Sequence, residues 1–421
     1  MNVREPQLAS IEKSNLEEHD AFERKVSDRR ATVCIVAGET SGDAHASKLV
    51  EELKLIYPQA TFFGMGGTCL RAAGVETVVD SESHASLMGF TELLGSIGSI
   101  ISSFKKVLLE CKKRDPDLVI LVDYPDFNLR LAKKLQKKGR KILYFITPQV
   151  WAWRMGRVKQ IKKYCDAVAP IFPFEESFFQ QHGIRAEYVG HPFLDHPFPV
   201  RDKVSFFSKI GADPSRPALA LLPGSRVSEI DRLIVPLVDA WRILKKSRPG
   251  LQAVIPLAPG LSLTKVKSLL PADKEDLFLV DGQAREVLIN CDLAVVASGT
   301  ATVEAALSLT PFVVVYKLSS LSYKIARLLV RGVSFFAMPN LIAGKKVVPE
   351  LLQEEVTAEN IAYELERFLG DSAYRERHSL GLKKIRERLT TKGTAGKQAA
   401  LLAAQLIEEA SSNKTSRRWS R

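Results

Sequence analysis

The sequence predicts an α/β protein built from two doubly wound parallel-sheet halves, and three observations predict it. Short apolar runs alternate with segments of 3.6-residue periodicity along almost the whole chain. The strongest runs, Asp117 to Val122 and Ala218 to Leu222, are continuously apolar, the pattern of strands buried on both faces of a parallel sheet. Several runs end in glycine-bearing turns that lead into helices, the joint at which open sheets hold ligands.

The elements follow in order. Residues 1–30 carry few large apolar side chains and many charges, and are expected to be a disordered or loosely helical extension. Thr32 to Ala37 is a buried strand, and Gly38 to Asp43 turns into a helix with Leu49, Leu53 and Ile56 on its apolar face. Thr61 to Phe63 is a short strand, and helix and strand signals recur through Val75–Val79 and Leu87–Ile101. The run 117–122 ends at Asp123-Tyr-Pro-Asp-Phe-Asn128, followed by a helix to Lys138, a strand from Lys141 to Ile146, the segment Thr147 to Arg154, another helix and a strand at 167–170. The polar, proline-bearing stretch from Pro199 to Pro217 reads as a linker between domains 31–200 and 201–390. Strands at 218–222, 251–257, 277–280, 292–297 and 311–316 then alternate with helices at 228–246, 262–270, 284–290 and 301–308. Helices at 357–369, 373–389 and 395–410 close the chain, ahead of a basic tail.

A chain of 421 residues with 46% hydrophobic and 26% charged residues has enough apolar material for two domains, each with its own core. No run approaches the roughly 18–20 apolar residues of a membrane span, and the polar N-terminus is unlike a signal peptide, so a cytoplasmic location is expected. Five cysteines, without a Cys-x-x-Cys or Cys/His cluster, are expected as free, mostly buried thiols rather than a zinc site. The net charge of +12 implies anionic company: nucleic acid, a nucleotide or an anionic bilayer. Aromatic residues are not interleaved with the lysine-rich zone between Lys133 and Lys163 in an RNA-binding pattern, which argues against nucleic acid.

Candidate chemistry sits where strands end. At Leu221-Leu-Pro-Gly-Ser-Arg226 a strand meets a tight turn and a helix N-terminus; Gly224 allows the turn, Ser225 offers a capping oxygen, and Arg226 adds a cation that can grip two phosphate oxygens. Ser298-Gly299-Thr300-Ala301 is a second small-residue turn of this kind. Glu304, one turn further, suits a ribose diol, and Gln283 suits a base edge. Together they describe a nucleoside-diphosphate pocket; an ordinary βα joint and a helix-face acid remain the plain alternatives. In the first half Asp123, at the mouth of a central strand, is the best-placed general base, with Asp126 and Asn128 beside it. A turn-forming Asp-x-Pro-Asp segment accounts for Pro125 and Asp126 better than for Asp123. Glu39 and Asp43 flank a helix start, where Asp43 also complements the dipole. Trp151, Trp153 and Arg154 suit an acyl or sugar pocket, one tryptophan belonging to the core; His191, before Pro192, is either structural or a site residue.

Eight motifs stand in one order: Val36-Ala-Gly-Glu-Thr-Ser-Gly-Asp43, Met88-Gly-Phe90, Asp123 to Asn128, Pro148-Gln-Val-Trp-Ala-Trp-Arg154, Gly190-His-Pro192, Leu221 to Arg226, Ala297 to Ala301 with Glu304, and Pro339-Asn-Leu-Ile-Ala-Gly344. Together they resemble the lipid-A-disaccharide synthase family, bacterial glycosyltransferases of the GT-B fold, in which two Rossmann-like domains face each other across a cleft. The likeness runs from about Thr32 to Ala410. It implies an inverting transfer of 2,3-diacylglucosamine from UDP-2,3-diacylglucosamine onto 2,3-diacylglucosamine 1-phosphate, giving a β(1→6) disaccharide phosphate and UDP.

The resemblance further implies no metal and no cofactor, peripheral attachment to the cytoplasmic face of the inner membrane, and return of the last helix, 395–410, to the first domain. It makes Asp123 the base, with Glu39 and Arg226 beside it in catalysis. Ser41, Gly42, Asp43, Met88, Asp126, Asn128, Trp151, Trp153, Arg154, His191, Gly224, Ser225, Gln283, Ser298 to Ala301, Glu304 and Asn340 are its expected substrate contacts. The basic stretch Ser319 to Val330 suits docking on an anionic leaflet, and the oligomeric state stays open, a homodimer included. Two departures, Gln149 for the family's Ser and Thr40 in place of Ala, bear on acyl contacts. The alternatives are a UDP-sugar 2-epimerase of the same fold and a non-catalytic binder of acylated sugars.

Overall fold

A computed structural model describes residues 30–82, 93–136, 140–151, 155–258, 260–271, 275–319, 323 and 335–419. Of the expectations above, the extension before residue 30, Met88, Trp153 and Arg154 lie outside these residues, as does most of the basic stretch from Ser319 to Val330. The chain divides into two compact units, Met1–Asp195 with Thr391–Arg421, and His196–Thr390.

In the first unit the elements run β1 (Thr32–Ala37), α1 (Thr40–Ile56), β2 (Thr61–Gly66), α2 (Thr68–Ala72), β3 (Glu76–Asp80), α3 (Leu93–Arg114), β4 (Leu118–Val122), α4 (Pro125–Gln136), β5 (Lys141–Phe145), α5 (Gly156–Tyr164), β6 (Ala167–Ala169) and α6 (Pro173–Gln181). The strands form one parallel sheet in the order β3-β2-β1-β4-β5-β6. All five residues of β4 and five of six in β1 are buried, as continuous apolar runs require at the centre of a covered sheet. The order reverses between β1 and β4, so the turns leaving those strands open away from each other and leave a crevice at their carboxyl ends.

The second unit repeats the design with α7 (Lys203–Ile210), β7 (Ala218–Leu222), α8 (Val227–Ser247), β8 (Gln252–Leu257), α9 (Leu263–Leu269), β9 (Leu277–Asp281), α10 (Ala284–Asn290), β10 (Leu293–Ala297), α11 (Ala301–Leu307), β11 (Phe312–Tyr316), α12 (Met338–Ala343), β12 (Glu350–Leu352), α13 (Ala358–Gly370) and α14 (Ser372–Leu389). The sheet order is β12-β11-β10-β7-β8-β9, so the reversal falls between β7 and β10.

The last helix, α15 (Ala395–Trp419), packs on the first unit. Its Ala399, Ala403, Leu406 and Ile407 share a core with Val33, Ile35, Leu49 and Leu53. A Cβ on Gly396 would lie 3.1 Å from the Lys48 backbone, so the small residue lets this helix approach α1 closely. Tyr57 Oη donates to Glu408 at 2.8 Å, and Lys141 pairs with Glu409 at 2.9 Å, fixing the middle of the helix.

Two readings need correction. The stretch from Pro199 to Pro217 is not an open linker: α7 lies inside it, capped by Asp202 accepting from Ser205 N at 3.0 Å and by Gly211 in the left-handed region, with Phe206 and Phe207 buried. Polar composition hid a helix of only eight residues. The helix expected from Leu129 begins at Pro125, whose fixed φ suits a first helical position. The short helices α2 and α6 and the edge strand β12 were not anticipated, since pieces of three to nine residues carry little periodicity.

Candidate active site

At the reversal in the first sheet, β4 ends in two consecutive non-glycine residues with left-handed backbone, Asp123 and Tyr124, both at φ 46°. The backbone there is locked by its neighbours: Asp123 N donates to Phe145 O at 3.1 Å, and the Asp123 carbonyl accepts from Asn128 Nδ2 and from Tyr144 Oη, each at 2.7 Å. Asn128 is fully buried and also donates to Val122 O at 3.1 Å. Its amide nitrogen therefore shapes the turn from beneath, so the residue expected as a substrate contact is held by the backbone of the turn. The turn of β1 lies opposite. A Cβ on Gly38 would stand 2.2 Å from the Tyr124 ring, so only glycine lets that ring pack there, stacked on Phe127 with centroids 5.4 Å apart.

Glu39, the N-cap residue of α1, is exposed and close enough to act on Asp123. Burial first, and the Glu39 charge second, push the Asp123 carboxyl from its ordinary range up to about 6. A carboxylate made uncomfortable in this way takes up a proton readily near neutral pH. Strain, burial and a like charge converging on one acid are the features of a functional centre rather than of an ordinary turn.

Ser41 is exposed at the start of α1, and a Cβ on Gly42 would stand in ordinary contact, 3.8 Å, with Ala37 and Val122. Asp43, expected at the substrate, is committed elsewhere: it is 2% exposed and its two oxygens accept from Gly67 N at 2.6 Å, Cys69 N at 2.8 Å and Leu70 N at 3.4 Å. It caps α2 from a neighbouring helix. Asp43→Ala should lower the unfolding free energy by about 1–3 kcal/mol, the cost of leaving buried amides without acceptors; urea denaturation reads it, and an unchanged midpoint would contradict the assignment. Asp126, exposed in the first turn of α4, pairs with Arg157 of α5.

Trp151 donates its indole N–H to Glu175 at 3.0 Å and meets the Phe174 edge at 5.0 Å. Glu175 is 1% exposed, and burial raises its carboxyl to about 8 even against the bonds from Trp151 and the Phe172 and Ile171 amides. The reading of the sequence missed it; the signal was Pro173 opening a helix with an acid at its third position. His191 is buried, accepts from Phe193 N at 3.2 Å through Nδ1, and lies between the rings of Phe172 and Phe193 at 5.2 and 4.7 Å. Its visible bonds are those of a capping residue.

In the second unit the turns after β7 and β10 leave neighbouring strands, with Leu222 opposite Val296. The N-cap of α8 is Arg226, not Ser225, because Glu229 reaches back to accept from both Ser225 N at 3.0 Å and Arg226 N at 3.3 Å. Gly224, at φ 114°, has its missing Cβ position only 2.4 Å from Glu229 Oε2, so the turn and the capping acid fit only around glycine. The Arg226 side chain is 80% exposed and pairs loosely with Glu229 at 3.4 Å, which leaves the cation presented to solvent. Ser298 N donates to Val315 O at 2.8 Å, anchoring the second turn, and Thr302 Oγ1 donates to Gly299 O at 2.7 Å; Thr300 and Ala301 open α11 there.

Glu304 accepts from Arg285 Nε at 2.8 Å, and Arg285 lies over the Phe198 ring at 5.1 Å. Arg285 thus orients the acid expected at the ribose, a partner the sequence reading did not foresee. Gln283 is exposed in the left-handed region at φ 58° as the N-cap residue of α10. Asn340 is the clearest departure: it is fully buried, donating to Val348 O at 2.9 Å and Glu350 at 2.6 Å while accepting from Val347 N at 2.6 Å and Val348 N at 2.9 Å. With all four positions filled it builds the 335–350 loop instead of meeting a ligand. That loop carries Phe336, stacked on Tyr316 at 6.2 Å; burial first, then the Glu229 charge, raise the Tyr316 phenol. Among the described residues no cluster of three metal-binding side chains occurs, and no helix is long and apolar enough to cross a membrane.

A family profile described as lipid-A-disaccharide synthetase matches residues 33–404. The lipid-A-disaccharide synthase of Myxococcus xanthus (strain DK1622) is 45% identical over 367 residues, covering 87% of this chain and 95% of the relative. That of Geobacter metallireducens is 41% identical over 374 residues, covering 89% and 97%. Among solved structures, the UDP-GlcNAc 2-epimerase of Neisseria meningitidis bound to UDP-GlcNAc has a TM-score of 0.59 at 14% identity, covering 90% of this chain and all of that one. A calicheamicin glycosyltransferase has a TM-score of 0.56 at 15% identity, covering 91% and 98%. These two likenesses concern the fold, which is that of GT-B glycosyltransferases and epimerases.

Proposed function

The chain belongs to the lipid-A-disaccharide synthase family, and from that premise we propose that it transfers 2,3-diacylglucosamine from UDP onto the 6-hydroxyl of 2,3-diacylglucosamine 1-phosphate. The observation that carries the mechanism is the Asp123 carboxyl, held near 6 by burial and by Glu39 at the reversal of the first sheet. Asp123 takes the proton from the acceptor 6-hydroxyl as that oxygen bonds to the donor's anomeric carbon. The bond from that carbon to the diphosphate breaks on the opposite side, so the configuration inverts and UDP leaves.

Leaving-group charge falls to the second unit. Arg226, exposed at the N-terminus of the 21-residue helix α8, can grip two phosphate oxygens, and the turn after β10 offers the backbone amides of Gly299 and Thr300. Preorganised donors of this kind act on charge as it develops, which is where they accelerate the reaction. Glu304, steadied by Arg285, takes the ribose hydroxyls, and Trp151, backed by Glu175, offers an apolar face to the acylated sugar. The net charge of +12 favours an anionic bilayer as the surface from which both lipids arrive, at about 1 kcal/mol for each basic residue near it.

Incubating purified protein with both lipids and following disaccharide phosphate by mass spectrometry tests the reading. Interconversion of UDP-sugars without acceptor would instead identify an epimerase, and binding without turnover a carrier. A second expectation concerns pH. The base must be ionised to work, so kcat/KM should climb through about pH 6 and level off above it. A profile flat from pH 5 to 8 would remove Asp123 from the role.

A further inference from the structure

Cys34 on β1 and Cys111 on α3 are both fully buried, and although they are 77 residues apart in sequence their sulfurs lie 3.4 Å from each other. Arg140, just before β5, stands beside them. Its side chain is 6% exposed; Nη2 donates to the carbonyl of Cys111 at 2.9 Å and to Asp115 at 3.0 Å, while Nε and Nη1 meet no hydrogen-bond acceptor among the described residues. Burying a guanidinium with N–H groups unmet is unfavourable, and a redox role for the neighbouring thiols is one account of such a group. Among the described residues no second thiol–thiol contact of this kind occurs; Cys165 and Cys291 are raised by burial and a neighbouring aspartate, and Cys69 by burial and Asp43.

We propose that Cys34 and Cys111 are a peroxide-reactive dithiol that closes to an intrachain disulfide, with Arg140 as the positioning cation. Cys111 is the attacking sulfur, because Arg140 is fastened to the Cys111 carbonyl at 2.9 Å; the hydrogen bond with Cys34 and the Arg140 charge, working against burial, lower its thiol. The Cys111 thiolate bonds to one oxygen of hydrogen peroxide, the O–O bond breaks, and the departing hydroxide takes the thiol proton to become water. Cys34 then attacks the sulfenic sulfur; the S–S bond forms, the S–O bond breaks, and the hydroxyl leaves with the Cys34 proton as a second water. Two thiols and one peroxide give one disulfide and two waters, sulfur losing two electrons and peroxide gaining them. Hydrogen peroxide is the fitting oxidant because it is hardly larger than water, whereas a fully buried pair excludes glutathione. Closure draws the sulfurs from 3.4 Å to about 2.0 Å and ties α3 covalently to β1, the strand that runs into the Gly38–Glu39 turn. This inference is independent of the proposed reaction.

The test treats the folded, full-length protein with graded hydrogen peroxide, quenches with an alkylating agent, and maps peptides without reduction. The expected result is a linked Cys34–Cys111 peptide that dithiothreitol dissolves and that Cys111→Ser lacks. Arg140→Met should slow its formation about tenfold while retaining a cooperative thermal transition. If Arg140→Met does not fold, the wild-type and Cys111→Ser maps decide alone. Oxidation of the partly exposed Cys69 while Cys34 and Cys111 stay alkylatable after unfolding would overturn the proposal, as would a linkage to a different cysteine or an unchanged rate in a folded Arg140→Met.

Discussion

Asp123→Asn should cut transfer steeply and at the same time raise the melting temperature. Losing a general base removes about 10²–10⁴-fold in kcat, and because Asp123 belongs to the acceptor side of the proposed chemistry, UDP affinity should stay within twofold. The stability gain follows from linkage. The folded carboxyl sits at about 6, above its ordinary value of 3.8, so the folded state holds the proton more tightly than the unfolded chain. That contribution is complete below pH 4 and is lost as the pH climbs through 6; above it, the ionised buried carboxylate is a burden of about 3 kcal/mol at 1.36 kcal/mol per unit. Asparagine carries no such burden and tolerates the left-handed backbone at φ 46° better than most residues. At pH 7.5 the variant should melt several degrees above wild type, with the gap closing toward pH 4. Retained turnover removes the base assignment, and a lower melting point at pH 7.5 removes the claim that the site stores this energy.

What could be read from the sequence was what periodicity and turn chemistry encode. The strand at 218–222 and the helix at 284–290 fall where the residues place them, because a five-residue apolar run marks the one and the Asp-Gly turn ahead of it marks the start of the other. The pairing of strands is different in kind: β1 meets β4 across 85 residues, and apolar runs say that strands are central without saying which neighbours they choose. The same limit governs the site. The position of Asp123 at the mouth of a central strand was legible because a carboxylate closing an apolar run stands out in sequence, while its work as a base stays a proposal; Tyr144 and Asn128 shape the turn through the Asp123 carbonyl, which sequence patterns do not register. Asp43 and Asn340 show the converse. Both belong to motifs of the family, and both turn inward, one to the amides ahead of α2 and the other to the 347–350 backbone and Glu350. Motif membership identifies a needed residue; only the hydrogen-bond partners say whether it is needed by the ligand or by the loop that the ligand meets.

Arg226→Ala should separate binding from folding more cleanly than any other change in the second unit. The side chain is 80% exposed and its one visible partner, Glu229, is 3.4 Å away, so an ion pair this open contributes little to stability and the melting temperature should hold within about 1 °C. The turn also survives the change, because Glu229 accepts from the backbone amides of residues 225 and 226 whatever the side chain there. What disappears is the bidentate grip on the diphosphate proposed for this side chain. UDP affinity should fall about 10–100-fold, and kcat/KM by about 10²–10³-fold, the larger loss reflecting charge that grows on the leaving group as the glycosidic bond breaks. Arg226→Lys keeps the charge but not the planar fork, and should recover part of the affinity and less of the rate. Isothermal titration with UDP and initial rates at saturating acceptor measure the two effects. If the alanine variant binds UDP as tightly as wild type, the diphosphate is held elsewhere and the division of labour between the two units proposed above is wrong.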